Sequence, residues 1–144
     1  MNECKYDIVE LTTNELYKCE SFWDNGGNNE DSRLAKLMNI GERRAFAYKI
    51  NNVYVGGCAI SIRKNEQGQY GHLSYLAVRN DLRNNGIGSS IINFAINHLR
   101  ELGIKIMRLN VNKDNSSAIR LYERYGFTYA EDITPEKIAM IKSI

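Results

Sequence analysis

The segment spanning 73–111 constrains the fold more than any other part of the chain. An apolar run, Leu73 to Val78, precedes the glycine-bearing stretch Arg83-Asn84-Asn85-Gly86-Ile87-Gly88. A helix-like run from Ser89 to Leu102 follows, and then a nearly continuous apolar run from Lys105 to Val111. Strand, helix and strand in so short a span imply a parallel pair joined by a right-handed crossover. Ile87, Ile91, Ala95, Leu99 and Leu102 share one helical stripe, and Gly103 supplies a stop. The turn also carries chemistry. The first N–H groups of a helix lack internal acceptors, and the helix dipole adds positive potential at that end. Gly86 and Gly88 have no Cβ to hold an anion away, and Arg83 adds a full charge. Gly-x-Gly alone does not say which anion.

The flanking segments extend this unit to one mixed α/β domain covering 1–144. Tyr6 to Leu11 reads as a short strand. Thr12-Thr13-Asn14-Glu15 has the form of a capping box opening a helix with Leu16, Cys19 and Trp23 on one face. Asp24 to Asn29 reads as a loop, and Asp31 to Met38 as a second short helix stopped near Gly41. Phe46, Tyr48 and Ile50 alternate along a strand, and Asn51-Asn52 before Val53 signals a type I′ hairpin. Gly56-Gly57 inside the next strand signals a bulge or a close backbone approach, with the bulge favoured. Arg63 to Gln69 reads as an exposed loop and Tyr70 to Val78 as a strand. Asn115 caps a helix ending at Gly126, and Phe127 to Ala130 and Ile138 to Ile141 read as closing strands with Pro135 at their turn.

Composition excludes several classes. Hydrophobic residues at 43% and charged residues at 25% suit a packed globular chain rather than a disordered one. A formal net charge of +2 gives no electrostatic basis for nucleic-acid binding. Cys4, Cys19 and Cys58 form no Cys-x-x-Cys pair, and with two histidines in the chain no metal site is expected. Free thiols are in keeping with a reducing cytoplasm. The start, Met1-Asn2-Glu3-Cys4-Lys5, lacks an apolar signal region, and no run is long enough to span a bilayer, so a soluble, cytoplasmic protein is expected. A P-loop would need Gly-Lys-Ser/Thr, and no lysine follows Gly88; a dinucleotide fingerprint would need a third glycine where Ser90-Ile91 stand.

Two segments resemble the GNAT superfamily of acyl-CoA-dependent N-acetyltransferases. The first is Leu76-Ala77-Val78 followed, after four residues, by Arg83-Asn84-Asn85-Gly86-Ile87-Gly88. It is similar to the family's coenzyme-binding pattern of Arg or Gln, x-x-Gly-x-Gly/Ala, after an apolar strand end. The second runs Asn115-Ser116-Ser117-Ala118-Ile119-Arg120-Leu121-Tyr122-Glu123-Arg124-Tyr125-Gly126-Phe127 and resembles the pattern Asn-x-x-Ala, two residues, Leu-Tyr, then Gly-Phe. Both, in order and with a strand between them, are far more specific than either alone. The resemblance covers roughly residues 70 to 130.

The resemblance implies a mostly antiparallel sheet with a splayed central parallel pair and helices on both faces. It implies acetyl-CoA as co-substrate, lying between the strands that end at Val78 and Val111. The pyrophosphate would accept N–H bonds from the turn Asn84, Asn85, Gly86, Ile87, Gly88 and Ser89, with Arg83 supplying charge. The pantetheine arm would pair like an added strand with the backbone of Leu76, Ala77 and Val78. Asn115, Ala118 and Tyr122 lie along one helical face; Ala118 keeps that face low, and the family's tyrosine at the Tyr122 position is a general acid that protonates the departing thiolate. The other reading of Tyr122 is a core aromatic whose hydroxyl is bonded, and the motif context favours the acid. Family members often carry a glutamate on the strand before Leu-Ala-Val, and here His72 stands at that place, either as a general base acting directly or through water, or as a surface residue at a strand start. Ser74, on the same face, is placed to order a water.

The implied activity is acetyl transfer from acetyl-CoA to a primary amine of a small molecule or protein, by direct attack in a ternary complex. A coenzyme-binding sensor or partner module without turnover is the alternative. His98 reads as structural, and Arg79 and Lys113 as solvated charges or distant phosphate contacts. Trp23, Asp24, Glu30 and Asp31 would give the acceptor region an aromatic, acidic wall suited to a cationic amine. The last two strands leave a homodimer open.

Overall fold

Alternating apolar residues build most of the strands in this chain, and glycine or asparagine turns separate them. The computed structural model describes residues 6–12, 15, 19, 43–83 and 85–144. Its strands are β1 Tyr6–Leu11, β2 Arg44–Ile50, β3 Val53–Asn65, β4 Gly68–Val78, β5 Ile106–Asn112, β6 Thr128–Thr134 and β7 Lys137–Ser143. The described α-helices are α1 Ile87–Glu101 and α2 Ser116–Arg124, with a 3-10 turn at Asn80–Leu82. The strands form one seven-stranded sheet in the order β1-β2-β3-β4-β5-β7-β6. β4 and β5 run parallel, while β1–β2, β2–β3, β5–β7 and β6–β7 are antiparallel. This is the mixed sheet with a central parallel pair that the 73–111 segment requires. Among the described residues no helix is long and apolar enough to cross a membrane.

The chain divides into two compact units. One takes Met1–Ser61 and Tyr75–Asn93, the other Ile62–Ser74 and Phe94–Ile144. In the first, Asn51 and Asn52 adopt φ 49° and 68°, the left-handed pair that a type I′ turn demands. The β2–β3 register then jumps from Lys49↔Tyr54 to Tyr48↔Gly56, so Val55 is the extra residue of a bulge. A Cβ on Gly56 would stand 2.9 Å from the Ala77 carbonyl oxygen. The bulge and the close approach therefore occur together. Leu11, Cys19, Ala45, Ala47 and Ala59 form a buried cluster, and Val9, Tyr54 and Tyr75 pack against it. Thr12 N–H donates to Glu15 Oε1 at 3.0 Å, the back-reaching half of the expected capping box. The helices, loop and acceptor wall expected over Leu16, Trp23 to Asn29, Glu30 to Met38 and Gly41 lie outside the described residues, as do Cys4 and Asn84.

In the second unit the parallel ladder runs Gly71↔Met107, His72↔Arg108 and Leu73↔Leu109. Leu73, Ile96, Leu99, Ile104, Met107, Leu109, Phe127 and Met140 are buried. Leu99 lies directly on Gly71: a Cβ there would collide with both Leu99 methyl carbons and come within 2.9 Å of its Cγ. The glycine thus lets the helix come down onto the strand immediately before His72.

Some boundaries differ from the sequence reading. The loop expected over Arg63 to Gln69 is mostly strand, because β3 continues to Asn65 and β4 starts at Gly68. The hairpin ends there are polar and largely exposed, and a backbone ladder needs no apolar side chains to form. Leu102 is 48% exposed rather than part of the buried stripe. The helix ends at Glu101 and Gly103 turns the chain at φ 79°, so the helical period no longer places Leu102. Ile92 and Ile96 widen the buried face instead. β6 and β7 are each longer than expected and meet at Pro135-Glu136.

Gly71→Ala should lower the unfolding free energy by about 1–3 kcal/mol, because Leu99 is fully enclosed and cannot yield. Leu99→Ala alone should cost about 2–5 kcal/mol. The double variant should fall short of their sum, since each change relieves the other, and urea unfolding of the four proteins measures this. A strictly additive result would contradict the contact. Burial pushes the Cys58 thiol up to about 12 from the ordinary 9.0. The folded state thus holds this proton more tightly than the unfolded state, and the resulting stability is intact below about pH 9 and lost as pH rises toward 12. At pH 8 iodoacetamide should leave Cys58 unmodified in the folded protein and label it in urea, as read by peptide mass spectrometry. Labelling at equal rates would mean the thiol is accessible.

Candidate functional site

In the first unit, the site begins where β4 ends. Leu76, Ala77 and Val78 are half-buried, and Arg79 N–H donates to Val55 O at 2.8 Å. The exposed Arg83 folds back so that its Nε donates to Val78 O at 3.2 Å, which fixes the guanidinium beside the strand end. Asn85 Nδ2 donates to Leu82 O at 3.2 Å and holds the turn from within. Gly86 has φ 79°, so glycine is needed there for its backbone conformation, and the space a Cβ would occupy is open. Gly86 O accepts the first helical bond, from Ser90 N–H at 3.0 Å. Ile87, Gly88 and Ser89 therefore form the first turn of α1, the part of a helix whose N–H groups face out of its end. Ile87 is buried and anchors that turn, while Gly86 is exposed.

A feature of this half that sequence reasoning missed is Tyr75. It has φ 54°, the left-handed region, immediately before Leu76. For a bulky aromatic this conformation costs on the order of 1–3 kcal/mol and persists only where packing enforces it. Tyr75 packs against the cluster of Leu11, Ala45, Ala47 and Ala59, which supplies that enforcement. No residue type at this position signals it, because tyrosine is an ordinary strand former.

In the second unit, Asn115 caps α2: its Oδ1 accepts from Ala118 N–H at 3.3 Å. Ala118 is half-buried, and Tyr122 is 8% exposed with its ring edge-on to Phe127 at 6.0 Å. The sequence Asn-x-x-Ala-x-x-x-Tyr thus does local work, in that one end stops the chain from fraying and the other is locked by packing. Tyr122 O accepts from both Tyr125 and Phe127 N–H, and Gly126 at φ 90° turns the chain into β6. His72 is 7% exposed, and its Nδ1 lies 3.0 Å from Ser74 Oγ. Both belong to β4, two residues apart, and Ser74 is the more exposed of the two.

Other candidate charges are committed elsewhere. Arg79 holds Asp81 through two contacts, 2.6 and 3.0 Å, and this keeps the Asp81 carboxyl below its ordinary range. Lys113 Nζ lies 3.5 Å from Asp132. His98 stacks on Phe94 at 5.7 Å. Arg108, beside His72 in the ladder, bonds Glu131 at 2.9 Å and covers the Tyr70 ring.

The chain is similar to known proteins across most of its length. An uncharacterized N-acetyltransferase of Methanocaldococcus jannaschii is 32% identical over 111 residues, covering 75% of this chain and 49% of that protein. The chain spans about half or less of the length of the curated relatives it matches. A crystal structure of an acetyltransferase from Thermus thermophilus superimposes with a TM-score of 0.80 at 19% identity, covering 96% of this chain and 97% of that one. The PaiA N-acetyltransferase of Thermoplasma acidophilum, solved in complex with coenzyme A, gives 0.74 at 16% identity over 97% of this chain and 99% of that one. The profile of the Acetyltransferase (GNAT) family matches residues 8–127, and the chain belongs to that family.

Proposed function

We propose that this chain transfers an acetyl group from acetyl-CoA to a primary amine, of a small molecule or a protein, by direct attack in a ternary complex. The observation that carries the reading is the glycine turn at the head of α1, with Arg83 tied to Val78 O beside it. An anion there meets outward N–H groups, a helix N-terminus and a guanidinium at once. Asn84, Asn85, Gly86, Ile87, Gly88 and Ser89 would hold the pyrophosphate. The backbone of Leu76, Ala77 and Val78 would pair with the pantetheine arm. An amide N–H close to the thioester would steady the oxyanion of the tetrahedral intermediate.

Asn115 and Ala118 would support and accommodate the pantetheine arm from α2, and Tyr122 would donate its phenolic proton to the departing thiolate. Packing against Phe127 restricts the Tyr122 ring, which suits a proton donor that must keep one direction. His72 would remove the ammonium proton that blocks attack. An imidazole is a common general base for proton removal near neutrality.

A thiol-release assay with acetyl-CoA against a panel of amines and peptides, run beside a coenzyme-binding isotherm, tests the reading. Thiol release dependent on an amine is expected. Binding without release on any acceptor would support the sensor reading instead, and no binding would end both. Tyr122→Phe should lower kcat by roughly 10²-fold or more while leaving the acetyl-CoA KM close to that of the parent. Undiminished turnover in a folded Tyr122→Phe protein removes the acid assignment. His72→Ala should depress the rate mainly around neutral pH; an unaltered pH–rate profile would exclude His72 as the base.

A further inference from the structure

We infer that Ser74 meets the acceptor amine and passes its proton to His72, so that the base is a two-residue relay. The inference rests on the acetyl-transfer reading above. A base must come within roughly 2.6–3.2 Å of the atom it deprotonates. His72 is only 7% exposed, which leaves its ring little surface to offer an incoming amine. Ser74 is less buried, lies two residues along the same strand, and sets its Oγ 3.0 Å from His72 Nδ1. In a strand, residues two apart share a face, so the hydroxyl extends the imidazole toward the surface rather than away from it.

The hydroxyl has the right capacity for this task. It carries one donor and two acceptor sites. With Oγ–H donated to Nδ1, both acceptor sites remain for the acceptor's ammonium. As one ammonium N–H bond breaks, its proton joins Oγ, and the original Oγ proton moves to Nδ1. The serine ends as a neutral hydroxyl, the imidazole as imidazolium, and the amine gains the lone pair that attacks the thioester carbonyl. No serine alkoxide forms. The scheme requires the neutral ring to carry its proton on Nε2. The opposite polarity, Nδ1–H donated to Oγ, would orient the ring but could not accept a proton through it.

The backbone that carries the ring is set by its neighbours. Gly71 lets Leu99 pack on the opposite face of β4 one residue earlier, and the ladder pairs His72 with Arg108. Tyr75 at φ 54° interrupts the regular alternation immediately after Ser74.

Nitrogen-15 NMR of the histidine side chains in the full chain at pH 8 reads the tautomer directly, with His98→Gln assigning the two rings. The expected result is an unprotonated Nδ1 on His72 whose resonance moves in Ser74→Ala. In the thiol-release assay Ser74→Ala should lower kcat on the order of 10²-fold with little change in the acetyl-CoA KM, and Ser74→Thr should restore most of it. Thiol release by a protein whose His72 carries its proton on Nδ1 overturns the relay alone. So does a Ser74→Ala protein with unchanged resonance and unchanged kcat. Absence of thiol release with every amine overturns the acetyl-transfer reading and the relay with it.

Discussion

Tyr75 is where the backbone of β4 changes what it can do. Before it, Gly71, His72 and Leu73 are engaged in a parallel ladder with β5. After it, Leu76 to Val78 run to the strand end, where Val78 O holds Arg83 and Ala77 O approaches Gly56. A single strand therefore serves two kinds of neighbour, and the left-handed φ of one aromatic residue marks the change. The strain of order 1–3 kcal/mol is tolerable because Tyr75 packs against Leu11, Ala45, Ala47 and Ala59.

Glycines mark the corresponding close approaches. Gly56 removes a Cβ that would press on the Ala77 carbonyl, and Gly71 removes one that would press on Leu99. Both contacts bear on β4, one near its end and one just ahead of His72. Gly86 differs: open space surrounds its missing Cβ, and its φ of 79° is what excludes other residues. The same residue type thus answers two separate demands, steric room along the strand and backbone conformation at the head of the helix.

Much of this was legible in the chain. The 73–111 segment gave the parallel pair because its periodicities change abruptly from strand to helix and back. Asn51-Asn52 announced a left-handed turn, and Asn115 announced a helix cap, because both residues act through local geometry that needs no tertiary partner. The misreadings have a common cause. Leu102 and the 63–69 segment were assigned from side-chain hydrophobicity, whereas their fate is decided by where backbone hydrogen bonding stops. Tyr75 was invisible because its conformation is imposed by distant residues rather than by its own preference. His72 and Ser74 were recognisable as chemistry, but their bond and the depth of the ring depend on packing.

The division of chemistry along the chain follows from these constraints. The proposed anion cradle would use backbone N–H groups and one arginine, so its requirements are short, local and written as a motif. The proposed proton relay would instead depend on side chains held at defined depth and separation, His72 at 7% exposure with Ser74 Oγ 3.0 Å from its Nδ1. A carboxylate on a strand is a base on its own. In the relay we propose, the Ser74 hydroxyl, 3.0 Å from Nδ1, would connect the buried His72 imidazole to the surface. On the reading proposed above, the donor half of the reaction would be written locally, while the acceptor half would be assembled by packing.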